Sequence, residues 1–320
     1  MGKDKRQTAP NILIRFADIM GTELRNGRLE IPEKFGRGYC TGFVFNEHIR
    51  MIISNYELNK DIAIENPEVN TSGRMIFFKF QNIIPEAEIS KRRERQSTIP
   101  SVLIATSRIN TDDVIEIHTN TATINIEMDA RYLNRLLDLS EKSQILQSLL
   151  QNTQPLLFEQ LIYPSLQKVV DEIVTEQIDD TLKLFYMRIK AEELVCRLLM
   201  ELERRDETHL YALNVNDVQV IYKLKERILE HLDTPPHIGE LAIRANMSSS
   251  KLQHLFKQIF GSSIFSYYQQ FRMKEAARLL KEEKISVSDV GYKLGFSNLS
   301  HFTRIFEQHI GMKPKQYTKS

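Results

Sequence analysis

The last hundred or so residues of this chain carry one helical pattern twice. Ile238, Leu241, Ala242, Ala245 and Met247 match Val287, Val290, Gly291, Leu294 and Phe296 at a constant offset of 49. One residue is then gained in the turn, after which Leu252, Leu255, Phe256 and Gly261 match Phe302, Ile305, Phe306 and Gly311 at an offset of 50. Each copy reads at helical period as a short helix, a turn and a second helix with one apolar face. That is the pattern of a helix-turn-helix, and its recurrence at fixed spacing makes the two units a tandem repeat. In the second copy the turn falls at Gly295, and Ser286 with Asp289 forms a capping pair at the helix start. A helical interaction module can show the same repetition, so the choice between partners rests on the outward side chains.

Splitting each second helix by angle at 3.6 residues per turn separates a buried from an exposed side. In the first, Leu252, Leu255, Phe256 and Ile259 face inward and Ser250, His254 and Lys257 outward, with Lys251 and Gln253 on the flanks. In the second, Phe302, Ile305, Phe306 and Ile310 face inward and Ser300, Arg304 and Glu307 outward, flanked by His301 and Thr303. Short hydrogen-bonding side chains near a helix start are what a recognition helix presents to base edges, whereas an ordinary solvated face is more uniformly Lys and Glu. Arg304 is expected to fork onto guanine and Gln253 to make the analogous contact to adenine. Lys251, Lys257, Lys293 and Lys313 are expected to sit on phosphates, giving affinity and salt dependence but no sequence choice. Between the units, Ile264 to Glu282 contains no Gly or Pro. As one helix it is a strut of roughly 28 Å. That suits two helices entering successive major-groove turns about 34 Å apart.

The net charge of +1 hides two unlike halves. From residue 214 onward there are 16 Lys and Arg against 10 Asp and Glu, and before it 27 against 32. A basic C-terminal part beside an acidic remainder points to a polyanion as the partner of the former. A chain of 320 residues with 42% hydrophobic and 27% charged residues has room for two cores. Residues 1–128 are expected to form a β-rich domain, a sandwich or small barrel. Its strands are read at His48 to Leu58, Arg74 to Phe80, Ser101 to Thr106, Asp113 to His118 and Ala122 to Met128. The run Lys91, Arg92, Arg93, Glu94, Arg95 reads as a solvated loop between two of them. From Asp129 the period turns helical, so 129–205 is expected to be a helical segment. Within it, Thr181 to Glu203 carries two apolar stripes, Leu182, Phe185, Ile189, Cys196, Leu199 and Leu184, Met187, Ala191, Leu194, Leu198. A helix apolar on two sides serves two neighbours, its own domain and, in one reading, a second copy of the chain; burial in a helical core is the other reading. Residues 206–217 are expected to be a linker and 218–320 the double helix-turn-helix domain, giving an α+β chain overall.

The C-terminal third resembles the AraC/XylS family of bacterial transcription regulators. The resemblance rests on Phe260-Gly261-Ser262-Ser263, Tyr267 or Tyr268, Arg272-Met273, Ala276, Ala277 and Leu280, and continues through Val287, Val290, Gly291, Gly295-Phe296, Ser300, Phe302, Arg304, Phe306, Gly311 and Pro314. Phe260 to Leu280 and the earlier KLFYMRIKAEELVCRLL are similar to the pyochelin-regulator-like subgroup. The resemblance implies a one-component regulator with a seven-helix DNA-binding domain joined to an effector-binding or dimerising domain, often a cupin-like barrel. It places base contacts on Ser250, Gln253 and His254, and on Leu299, Ser300, His301 and Arg304. Ser250 stands where some relatives have a large aromatic and Leu299 where some have a polar residue, so no operator sequence carries over.

The expected function is therefore a homodimeric activator of transcription that binds promoter DNA, contacts RNA polymerase and answers to a small-molecule effector. A cupin-type or repair enzyme fused to a DNA-binding module is the alternative. It is disfavoured because His48 and His118 stand alone and Cys40 and Cys196 form no cluster. An architectural DNA binder without an effector is a third reading. No catalytic set, cofactor or metal is expected. Two cysteines, no signal-peptide pattern and no apolar run of membrane-span length lead to the expectation of a cytoplasmic protein.

Overall fold

The computed structural model describes residues 9–59, 74–83, 100–106, 120–137, 143–205 and 210–319. The chain divides into two compact units, Met1–Asn214 and Val215–Ser320. The expected strand Asp113 to His118 and the charged run Lys91 to Arg95 lie outside the described residues.

Among the described residues, the first unit is built on one seven-stranded antiparallel sheet. Its strands are β1 (Arg28–Glu30), β2 (Gly36–Val44), β3 (Ile49–Leu58), β4 (Met75–Gln81), β5 (Ser101–Thr106), β6 (Asn120–Asp129) and β7 (Leu157–Leu161), ordered β1-β2-β3-β6-β4-β5-β7. The expectation was a sandwich or barrel; the described strands pair as a single sheet with β1 and β7 at its ends. Alternate residues of the central strands, among them Met51, Ile53, Phe78, Phe80, Ile124 and Ile126, form one apolar face. It packs against α2 (Ala130–Leu136), α3 (Gln144–Gln151), α4 (Pro164–Thr175) and α5 (Asp180–Glu203).

Two segments depart from the expected assignment. Residues inside the expected β-rich stretch form helix α1 (Asn11–Met20), which buries Leu13, Phe16, Ala17 and Met20 and ends at a left-handed Gly21. That spacing is helical, and tertiary burial against Leu29, Ile31 and Cys40 uses it. Strand β7 lies within the expected helical segment; five residues bounded by Pro155 and Pro164 are too few for periodicity to separate strand from helix, and pairing with β5 decides. On α5, Met187, Ala191, Leu194 and Leu198 are core, while Leu182 is 59%, Phe185 65% and Met200 55% exposed. The stripes are thus as read except that Leu184 is exposed and Leu199 buried.

The second unit is all-helical: α6 (Val215–Glu230), α7 (Ile238–Ala245), α8 (Ser249–Phe260), α9 (Ile264–Lys281), α10 (Val287–Lys293), α11 (Leu299–Ile310) and α12 (Pro314–Tyr317). Residues 215–217, expected in the linker, are the first turn of α6. The repeat is visible in the backbone. Helices α8 and α11 begin and end 50 residues apart, and so do the starts of α9 and α12. In the first turn Asn246 N–H donates to Ile243 O and Met247 N–H to Ala242 O at 3.1 and 3.0 Å; in the second Gly295 and Phe296 donate to Tyr292 O and Gly291 O, both at 2.9 Å. Asn246 and Gly295 are both left-handed, as are Gly261 and Gly311 at the ends of the second helices. Repeated sequence has produced repeated turn geometry, including its left-handed residues.

Candidate nucleic-acid interface

Each second helix starts from a side-chain cap that leaves its first turn outward and ordered. Ser248 Oγ accepts from Lys251 N–H at 3.2 Å, opening α8. Asn298 Oδ1 accepts from both Ser300 and His301 N–H, at 2.9 and 3.1 Å, opening α11. These caps were missed from the sequence, although Ser or Asn directly before an apolar-periodic run is their signal. Leu252, Leu255, Phe256 and Ile259 of α8, and Phe302 and Phe306 of α11, are buried, which aims the opposite faces at solvent.

The expected contacts fall into two groups. Ser250, Lys257, Ser300, Arg304 and Lys313 are exposed as read. Arg304 has no side-chain hydrogen bond or ion pair among the described residues, so its fork of donors is available to a ligand. His301 is exposed with its ring edge-on to Phe296, centroids 5.8 Å apart. Gln253 is exposed, its amide donating to Ser249 O at 3.3 Å.

The others have neighbours within the unit. His254, expected outward, is half-buried with Nε2 shielded from solvent. Lys251 pairs with Asp217 of α6 at 2.8 Å, so part of its charge is already spent inside the unit. Lys293 stands 3.9 Å from Glu283 and is more than half exposed, which leaves it solvated. Leu299, given by resemblance as a base contact, is half-buried: a Cβ on Gly291 would lie 2.7 Å from Leu299 Cδ2, so this leucine fills the contact between α10 and α11. The two outward faces are joined by α9, 18 residues long. This is about 27 Å of helix, several ångströms shorter than the major-groove repeat of about 34 Å.

The residues that would support enzyme chemistry are placed differently. Cys40 is buried, and desolvation pushes its thiol up to about 12, so it is no thiolate at neutral pH. Cys196 is exposed on α5. His48 stacks on Tyr132 with centroids 4.9 Å apart, and His118 lies outside the described residues. No group of three or more metal-ligating side chains occurs among the described residues. No helix among them is long and apolar enough to cross a membrane.

A family described as a helix-turn-helix domain matches residues 241–320. The chain is similar to the HTH-type transcriptional regulator GbdR of Pseudomonas aeruginosa, 29% identical over 130 residues that make up 41% of this chain and 33% of that protein. It is similar to the HTH-type transcriptional activator RhaR of Escherichia coli, 28% identical over 127 residues, 40% of this chain and 45% of that protein. Each match spans less than half the relative's length. Among solved structures, the DNA-binding domain of AdpA, a global transcriptional factor in complex with a target DNA, is 27% identical over 31% of this chain and 89% of that one, with a TM-score of 0.30.

Proposed function

We propose that the protein is a regulator of the AraC/XylS type and a sequence-specific activator of transcription that reads duplex DNA with α8 and α11, a reading supported by the helix-turn-helix match over residues 241–320 and the likeness to GbdR and RhaR. The observation that carries this reading is the pair of equivalent capped helices with polar outward faces, held apart by one uninterrupted helix. Ser300, His301 and Arg304 on α11, with Ser250 and Gln253 on α8, meet base edges, and Lys257 and Lys313 meet phosphates. His254 contributes less than its position suggests because it is turned partly inward. RhaR is by its name an activator; for this chain the same role includes contact with RNA polymerase.

The first unit takes the roles of effector site and dimer contact in this reading. Two cross-strand rows support the effector site. Ser54, Thr123, Gln81 and Ser101 lie side by side on the sheet face away from the apolar core, and the next row runs Ile52, Asn125, Lys79, Leu103 and Glu159. Ser54, Ser101, Thr123 and Glu159 are buried, which is unusual company for a sheet face unless polar groups are to be met there. The exposed stripe Leu182, Phe185, Ile189 and Met200 on α5 supports a homodimer, in which a two-fold partner covers the stripe with its own. The site of action is the cytoplasm.

The test is selection of duplexes from a randomised pool by the full chain, followed by footprinting. One sequence family should emerge, and Arg304→Ala should bind it about tenfold or more weakly. Equal affinity and selectivity in parent and variant would remove α11 as a reader. Sedimentation tests the dimer: the parent should run as two copies and Phe185→Asp as one, while a monomeric parent counts against that contact.

A further inference from the structure

We infer that Arg272, which lies in the strut and faces no DNA, is the positioning residue that sets the second reader helix against the first. The inference rests on the DNA-reading role of α8 and α11 proposed above. Arg272 is 4% exposed and projects from the middle of α9 into the turn between α10 and α11. Its Nε donates to Leu294 O at 2.8 Å and its Nη2 donates to the same carbonyl, while Nη1 donates to Gln269 Oε1 at 3.4 Å. Its guanidinium lies 3.7 Å over the Phe296 ring. Leu294 caps the C-terminus of α10, where unsatisfied carbonyls hold the negative end of the helix dipole and a cation is favoured.

The same joint includes the start of the unit. Tyr268, one turn earlier on α9, donates its hydroxyl to Leu232 O at 2.9 Å. Gly295, next to Leu294, adopts φ +75° with its backbone against Asp233 O, so that a Cβ there would come within 1.9 Å of that oxygen. The link between α6 and α7, the strut, and the second turn therefore meet around one guanidinium. Burial draws the arginine pKa below its ordinary value, and Tyr268 and Asp233 oppose that shift electrostatically. Replacing a buried charge by an apolar side chain of similar volume is often neutral or stabilising, so the presence of this arginine fits a geometric duty: two bonds to one carbonyl and a planar stack fix both distance and angle. Because α11 leaves directly from this turn, a small rotation there displaces Ser300 and Arg304 together.

The experiment uses the full chain and the duplex selected from a randomised pool, with Arg272→Met to keep volume and Arg272→Lys to keep charge. Three probes are compared: the selected duplex, the same duplex with one base pair inserted between the two footprinted halves, and a duplex with only the α8 half intact. Arg272→Met should lose about tenfold on the selected duplex, as a mismatched base pair does, and stay within about twofold of the parent on the α8 half. Its preference for the parent spacing over the inserted one should shrink, and Arg272→Lys should restore only part of it. A parent-like spacing profile in Arg272→Met, or an equal loss on all three probes, overturns the inference. Should Arg272→Met not fold, Phe296→Leu removes the stack and leaves the carbonyl bonds; it should narrow the spacing preference in the same sense, and an unchanged preference overturns the inference. If the parent selects no sequence at all, the DNA-reading proposal fails by itself. Hydrogen exchange then decides the positioning role: faster exchange in Phe296–Ile310 with Leu241–Phe260 unchanged supports it, and uniform or absent change overturns it.

Discussion

The two helix pairs of the second unit have the same backbone and different surfaces. Residues 246 and 295, 248 and 298, 254 and 304, 257 and 307 are equivalent positions of the repeat, yet they hold Asn and Gly, Ser and Asn, His and Arg, Lys and Glu. In the first pair the turn is a left-handed Asn, the residue matching Arg304 is a half-buried His, and the outward cations are Lys251 and Lys257. In the second the turn is a glycine pressed on Asp233, and the outward cation of α11 is Arg304, which has no side-chain hydrogen bond or ion pair among the described residues. The repeat supplies a common scaffold, and under the DNA-reading proposal its differences would divide the labour, with the first pair the better anchor and the second the better reader.

The sharpest break in the comparison lies at the turns. Gly295→Ala combines a left-handed conformation with a Cβ 1.9 Å from Asp233 O. Its cost should be about 3 kcal/mol or more, since strain and overlap add. Asn246→Gly replaces one left-handed residue by another and should change stability by less than about 0.5 kcal/mol. Denaturant unfolding of the full chain measures both. Comparable small effects would mean that the second turn relaxes freely and that the joint around Arg272 is loose.

Next in size is the pair at 254 and 304. Arg304→Ala should cost about 1–3 kcal/mol on the selected duplex and relax preference at one base pair, because a bidentate contact is lost. His254→Ala should leave base preference intact, since Nε2 is shielded from solvent. Competition binding against single-base variants of the duplex reads this directly, and a larger loss of preference in His254→Ala would invert the division of labour.

What the sequence revealed follows the range of the interactions involved. The turn at Gly295 and the matched glycines Gly261 and Gly311 depend on neighbours within about one helical turn, so a matched pattern sufficed to place them, whereas the caps Ser248 and Asn298 carried a local signal that went unread. The inward sets Leu252, Leu255, Phe256, Ile259 and Phe302, Phe306 follow from helical period alone. Partner choice across long separations was not legible. The pairing of Lys251 with Asp217 spans 34 residues and depends on where α6 packs. The inward turn of His254, the docking of Leu299 on Gly291 and the reach of Arg272 to Leu294 are likewise set by packing between helices. In the first unit, α1 had a readable period but stood in a strand-rich stretch, and β7 was too short to read without its partner β5.

The smallest predicted effect discriminates between the two lysines of α8, both of which looked like phosphate contacts. Lys257 is exposed on the last turn of the helix, whereas Lys251 is held at 2.8 Å by Asp217. A lysine that neutralises a phosphate releases a counterion, so Lys257→Ala should weaken binding to all duplexes alike and reduce the slope of log affinity against log salt by about 0.9. Lys251 already has an anion beside it and would have to give that partner up, so Lys251→Ala should change the slope by clearly less, and Asp217→Asn should bring the parent Lys251 closer to full effect. Titrations between about 50 and 200 mM salt resolve a unit change in slope. Equal slopes for the two alanine variants would show that the pair with Asp217 opens on DNA, making the first helix pair a more adaptable anchor than its free geometry suggests.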